Sequence, residues 1–260
     1  MFYMPLDMEW NFREIKGLSL FMWACAYGQE DIVQILLNLH AAKMITLDAT
    51  ETHYGFTAIE WASQNGHGDV VKLLLDHSTE LSANGKPFIL ACQKGRIDVV
   101  QICLDYSETI DLNAKDKYGW TAFMWTCEKG HEDIATLLIS CFEAKGIDLH
   151  ARDKSGWTAL MRASMNGHEG IVRLLVDNGN MSNLQVEAAL QWACENGQDN
   201  VIEILVNYSI SEMIDLNAKD RNGSDAFRWA RENGHKVIVT GVTISMLSVI
   251  LYKIHRYVKN

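Results

Sequence analysis

Asp116-Lys117-Tyr118-Gly119-Trp120-Thr121-Ala122-Phe123-Met124-Trp125-Thr126-Cys127-Glu128-Lys129-Gly130-His131 returns thirty-seven residues later as Asp153-Lys154-Ser155-Gly156-Trp157-Thr158-Ala159-Leu160-Met161-Arg162-Ala163-Ser164-Met165-Asn166-Gly167-His168. Self-similarity at a period of tens of residues decides architecture before any single element does. The last glycine of each copy recurs at Gly28, Gly66, Gly95, Gly130, Gly167, Gly197 and Gly234, which makes seven copies. Seven residues before it stand Phe21, Ile59, Phe88, Phe123, Leu160, Leu190 and Phe227, all large and apolar. Four before it stand Ala24, Ala62, Ala91, Thr126, Ala163, Ala193 and Ala230, all small. Apolar residues follow the glycine at offsets 4, 5, 7 and 8, as in Val70, Val71, Leu73 and Leu74. Those offsets make one face of a helix. Each unit therefore reads as helix, glycine turn, helix, and the small residues let neighbouring first helices approach closely.

This pattern resembles the ankyrin repeat, a unit of about 33 residues with a β-turn and two helices. The opening of the family's first helix is matched by Thr57-Ala58-Ile59-Glu60, Thr121-Ala122-Phe123-Met124 and Thr158-Ala159-Leu160-Met161. The Gly-His turn stands at Gly66-His67, Gly130-His131, Gly167-His168 and Gly234-His235. The approach to the turn stands at Leu112-Asn113-Ala114-Lys115-Asp116 and Leu216-Asn217-Ala218-Lys219-Asp220. The chain departs from the family pattern in keeping the tetrapeptide's Pro only at Pro87 and its His nowhere. The resemblance implies an all-α solenoid of about seven repeats with short β-hairpin turns. Residues 1–16 form a degenerate leader or cap, 17–240 the repeat domain, and 241–260 an apolar cap or membrane tail. The third and sixth copies are short, and their hairpins are expected to be reduced or absent.

Composition narrows the function. The 260 residues carry a formal net charge of −10, which does not suit a phosphate backbone, so no nucleic-acid partner is expected. Four of the six cysteines (Cys25, Cys92, Cys127 and Cys194) lie three residues before the repeat glycine. That position wants a small residue, so these read as structural thiols. With no close pair and no secretory leader, the reading is a reduced, cytoplasmic protein, with the nucleus as the alternative. No phosphate loop, zinc-binding His pair or nucleophile elbow is present. No cofactor and no metal is expected, and the chain is read as a non-enzyme.

What remains is recognition of another protein, as an adaptor or scaffold and as a monomer. In the family, partners dock on hairpin tips and on the exposed, concave side of the first helices. Carried over by position, this marks Tyr54, Phe56, Tyr118, Trp120 and Trp157 on hairpins, and Glu128 and Met165 on first helices. Tyr and Trp are enriched in interface hot spots. Acidic first-helix positions suggest a partner of basic character. Five copies place Trp five residues before the glycine (Trp23, Trp61, Trp125, Trp192 and Trp229), and Arg162 breaks that series. Arg162 is therefore added to the candidate surface. Residues 237–252 carry no charge over sixteen positions, short of the ~20 apolar residues of a membrane span. Two alternatives follow: a protein tethered to a membrane by that segment, or a regulatory subunit of an enzyme whose catalytic domain lies on another chain.

Overall fold

The structure is a computed structural model that describes residues 18–41, 50–51, 55–77 and 84–212. Tyr54, the leader, the seventh repeat with Trp229, and the apolar segment 237–252 lie outside the described residues. Among the described residues there are twelve helices, paired into six helix-turn-helix units. The fold is an all-α repeat solenoid, as expected. It divides into two compact units, one up to Ala114 and one from Lys115.

The first unit holds α1 (Leu20–Ala26), α2 (Glu30–Ala41), α3 (Ala58–Asn65), α4 (Gly68–His77), α5 (Lys86–Lys94) and α6 (Ile97–Asp105). The second holds α7 (Ala122–Lys129), α8 (Glu132–Lys145), α9 (Ala159–Met165), α10 (Glu169–Asn178), α11 (Asn183–Glu195) and α12 (Asp199–Ser211). Within each unit, first helices pack on first helices and second on second. Five of the six first helices start at a Ser or Thr, whose hydroxyl can accept an orphan amide, and α5 starts at Gly85. The Met124 amide donates to Thr121 Oγ1 at 3.2 Å, and that of Met161 to Thr158 Oγ1 at 3.4 Å. Three of the first helices stop at glycine, and the other three end at Tyr27, Asn166 and Asn196, one residue before it. Gly66, Gly95 and Gly130 are left-handed caps whose amides return to the last turn.

The small residue four before each glycine is fully buried in every described repeat, with Ala24, Ala62, Ala91, Thr126, Ala163 and Ala193 at 0% exposure, so close helix approach is realised. The second-helix face differs from the expected one. Residues nine after the glycine (Leu37, Leu75, Leu104, Ile139, Val176 and Val206) are buried. Those at offset seven are mostly half-buried, and Ile35 is 54% exposed. The buried stripe thus runs at offsets 4, 5, 8 and 9. At about 100° per residue those four offsets fall within an arc of about 140°, and offset seven lies about 60° beyond its edge.

Adjacent repeats are tied by the residue after the glycine. His67 Nε2 lies 2.9 Å from the carbonyl oxygen of Ala26, and His168 Nε2 lies 3.2 Å from that of Glu128. Arg96 Nε donates to the Gln64 carbonyl at 3.1 Å, and Gln198 Nε2 to that of Met165 at 3.1 Å. Each reaches the orphan carbonyl at the end of the preceding first helix. His67 and His168 are structural, as the repeat pattern indicates. The sixth repeat has no projecting hairpin: Asn180-Met181-Ser182 runs straight into α11, which at 13 residues is the longest first helix described. The fourth and fifth hairpins are tight turns, and no strand occurs among the described residues.

Candidate partner-binding surface

Two hairpins of the second unit share one design. In the fourth repeat the Asp116 amide donates to the Trp120 carbonyl at 2.9 Å and closes the turn. Asp116 Oδ1 accepts the amides of Tyr118 (2.8 Å) and Trp120 (2.9 Å), and its Oδ2 accepts the indole of Trp125 at 3.0 Å. In the fifth repeat the Asp153 amide donates to the Trp157 carbonyl at 2.9 Å, and Asp153 Oδ1 accepts the amides of Ser155 (2.7 Å) and Trp157 (2.9 Å). Its Oδ2 accepts not an indole but Arg162 Nη2, at 2.7 Å. Arg162 therefore does what Trp125 does one repeat earlier: it reaches from the first helix to the aspartate that organises the hairpin.

Arg162 also fills the Trp slot sterically. Its guanidinium carbon lies 3.8 Å from the ring centroid of Trp120 and 4.4 Å from that of Trp157. Trp120 in turn packs on Trp125, and Trp157 on Trp192, each pair with centroids 4.3 Å apart. The result is one continuous stack: Trp125, Trp120, Arg162, Trp157, Trp192. A planar guanidinium suits this slot where an ammonium does not. Glu128 Oε2 lies 3.8 Å from Arg162 Nη1 and accepts the Asn166 side-chain amide at 3.1 Å. The carboxylate of Asp153 is 2% exposed and the side chain of Arg162 is 14% exposed, so the pair is largely withdrawn from water.

The hairpins are also fastened to each other. Lys115 Nζ donates to the Arg152 carbonyl at 2.9 Å, and Lys154 Nζ donates to the Lys117 carbonyl at 2.7 Å. The Lys154 amide donates to the Tyr118 carbonyl at 3.3 Å. A Cβ on Gly119, whose φ is +84°, would come within 2.9 Å of the Lys154 amide nitrogen. Glycine is required there for backbone conformation and for close approach.

A sequence model of ankyrin repeats (three copies) matches residues 4–85, 79–153 and 141–220. The chain belongs to the ankyrin repeat family. Its fold is similar to the crystal structure of the human ASB11 ankyrin repeat domain, with a TM-score of 0.68 and 17% identity over 88% of this chain and 98% of that one. It is also similar to the ankyrin repeat domain of Bcl-3, an IkappaB family member, with a TM-score of 0.72 and 23% identity over 86% and 97%. Inversin of Gallus gallus is 31% identical over 70 residues, which are 27% of this chain and 6% of that protein.

Within this ankyrin framework the predicted site residues separate into two kinds. Tyr118 stands on the fourth hairpin tip, 54% exposed, with Lys117 Nζ 4.9 Å from its ring centroid. Trp120, Trp157 and Arg162 are half-buried members of the stack, and Glu128 is tied to Arg162. Met165 is half-buried at the end of α9, where its carbonyl accepts from Gln198. In the first unit, Phe56 lies edge-on to Trp61 with centroids 5.5 Å apart and Lys86 Nζ 4.9 Å from its ring centroid. Lys86 Nζ also donates to the buried Glu60 at 2.9 Å. Sequence reasoning passed over Asp116 and Asp153 as hubs and Lys115 and Lys154 as fasteners. The available signal was an Asp fourteen residues before the glycine with a basic residue on each side, as in Lys115-Asp116-Lys117 and Arg152-Asp153-Lys154.

Proposed function

We propose that this ankyrin domain is a non-catalytic recognition module that binds a partner protein through the fourth and fifth hairpins and the adjoining first-helix face. The observation that carries this reading is the exposed Tyr118 on a pair of hairpins already fastened together by Lys115 and Lys154. An aromatic held on a rigid scaffold loses little entropy on binding, which is what a hot spot needs. Trp120 and Trp157 serve the surface from beneath, by holding the hairpin backbone in place. Among the described residues no group of three or more His, Cys, Asp or Glu is placed to hold a metal ion. Four of the six cysteines stand at one equivalent repeat position rather than in close pairs, which fits the reducing compartment we propose for the protein.

The test is a tagged pull-down with mass spectrometry, comparing wild type with Tyr118→Ala. Tyr118 is 54% exposed and its hairpin is closed through backbone groups that Tyr118→Ala keeps, so circular dichroism should be unchanged. A set of proteins that disappears only with Tyr118→Ala supports the reading. Identical captures from the two would end it.

A further inference from the structure

The two hairpins have an unusual charge arrangement for a chain of net charge −10. Their acidic residues point inward. Asp116 is consumed by two backbone amides and the Trp125 indole, and Asp153 by two amides and Arg162. Their other charged residues, Lys115, Lys117, Arg152 and Lys154, are all cationic and all exposed. Lys115 and Lys154 each spend one ammonium donor on a carbonyl of the other hairpin, which leaves two of three for a ligand. Arg152 Nη1 donates to the Gly156 carbonyl at 3.0 Å, and Lys117 Nζ lies 4.9 Å from the Tyr118 ring centroid, so the four cations stand on the same two hairpins as Tyr118.

We propose that this ridge binds an acidic segment of a partner protein, with Asp or Glu side chains on the four cations and an apolar residue on Tyr118. The proposal rests on the hairpin reading above and adds its chemistry. It replaces the basic partner suggested by the acidic first-helix positions, because Glu128 already lies against Arg162. A protein segment is favoured over nucleic acid or an anionic membrane on electrostatic range. A short acidic segment senses charges within about 8 Å, the screening length at physiological salt. An extended polyanion spans the rest of a surface that repels it.

The experiment is panning of a displayed random-peptide library on the full chain, followed by affinity measurement of the selected peptides by fluorescence anisotropy. Selected peptides should be rich in Asp and Glu. Replacing those acids by Asn and Gln should abolish binding, and Lys117→Gln/Arg152→Gln should weaken it about fivefold. Neither substitution touches the two lysine fasteners. Raising ionic strength should weaken binding further. Neutral or basic selected peptides, equal affinity for the double variant, or tighter binding of single-stranded oligothymidylate or phosphatidylserine vesicles would each overturn the proposal. The two ideas fail differently. If Tyr118→Ala abolishes binding while the cation changes do not, the ridge binds but not through acids. If Tyr118→Ala changes nothing, the hairpin reading falls as well.

Discussion

Replacing Arg162 with Ala removes the centre of the stack and leaves the Asp153 carboxylate, 2% exposed, with only its two backbone amides. Three losses combine. A charge-assisted hydrogen bond to a buried acceptor is worth about 1.5–3 kcal/mol. Two cation–π contacts, on Trp120 and Trp157, add about 0.5–1 kcal/mol each. Water entering the vacated slot returns part of this by resolvating Asp153, so the expected net loss is about 3 kcal/mol, at the low end for a broken buried pair. For a chain of this size that lowers Tm by about 6–12 °C. The more discriminating variant is Arg162→Trp. Trp125 shows that an indole in this position donates to the hairpin aspartate at 3.0 Å and continues the ring stack. Arg162→Trp should therefore lose less than about 1 kcal/mol, within the range of a tolerated swap. Arg162→Lys should fall between the two, since an ammonium keeps the charge but not the plane. Urea unfolding followed by circular dichroism gives all three values. An Arg162→Ala protein as stable as wild type, or Arg162→Trp as damaging as Arg162→Ala, would refute the equivalence of Arg162 and Trp125.

Two glycines make a matched comparison. Gly130 (φ +73°) would place a Cβ 2.5 Å from the His168 ring, whereas Gly156 (φ +84°) has nothing within 4 Å. Gly156→Ala should lose only the left-handed strain, about 1–2 kcal/mol, and Gly130→Ala distinctly more, because His168 must also leave the Glu128 carbonyl; urea melts of the two decide. Burial pushes the Cys25 thiol from 9.0 up to about 12, and burial with the Asp199 and Glu195 carboxylates does the same for Cys194. Both folded values are raised, so their contribution is complete below pH 9.0 and is lost as pH climbs toward about 12. Within that window each thiol should lower stability by about 1.4 kcal/mol per pH unit, and Cys25→Ala/Cys194→Ala should flatten the dependence. Lys154→Met removes the fastener to the Lys117 carbonyl, and should speed amide exchange at Tyr118 and Gly119 while leaving Tm nearly unchanged, as read by hydrogen exchange.

The repeat architecture was legible because every copy repeats the same physical demand. A small residue must stand where first helices meet, and a glycine where the first helix turns into the second, so seven aligned copies reinforce one another. The helix face was legible only approximately. Ile35 and Leu37 are equally apolar, and periodicity alone cannot tell that Leu37 is the buried one; stacking geometry decides it. The site was partly legible. The break in the Trp series pointed to Arg162, and its meaning became clear only once Asp153 and the flanking indoles were located in space. Trp120 and Trp157 read as contact residues by their hairpin position, and they lie against Arg162, because a side chain ten residues before the glycine and one five before it meet through the hairpin's fold. The charge of the ridge was muted in the sequence, where Lys115-Asp116-Lys117 and Arg152-Asp153-Lys154 each set one acid between two cations. The fold separates them by turning each aspartate onto backbone amides and each cation outward.

The central claim is that the partner meets the fourth and fifth hairpins. Site-specific photocrosslinking tests it most directly, with p-benzoylphenylalanine placed at Tyr118 in one protein and at Arg173, exposed on α10, in another. The account predicts a discrete covalent adduct from position 118, reduced by Lys117→Gln/Arg152→Gln, and none from position 173. Adducts from 173 with none from 118 would contradict it.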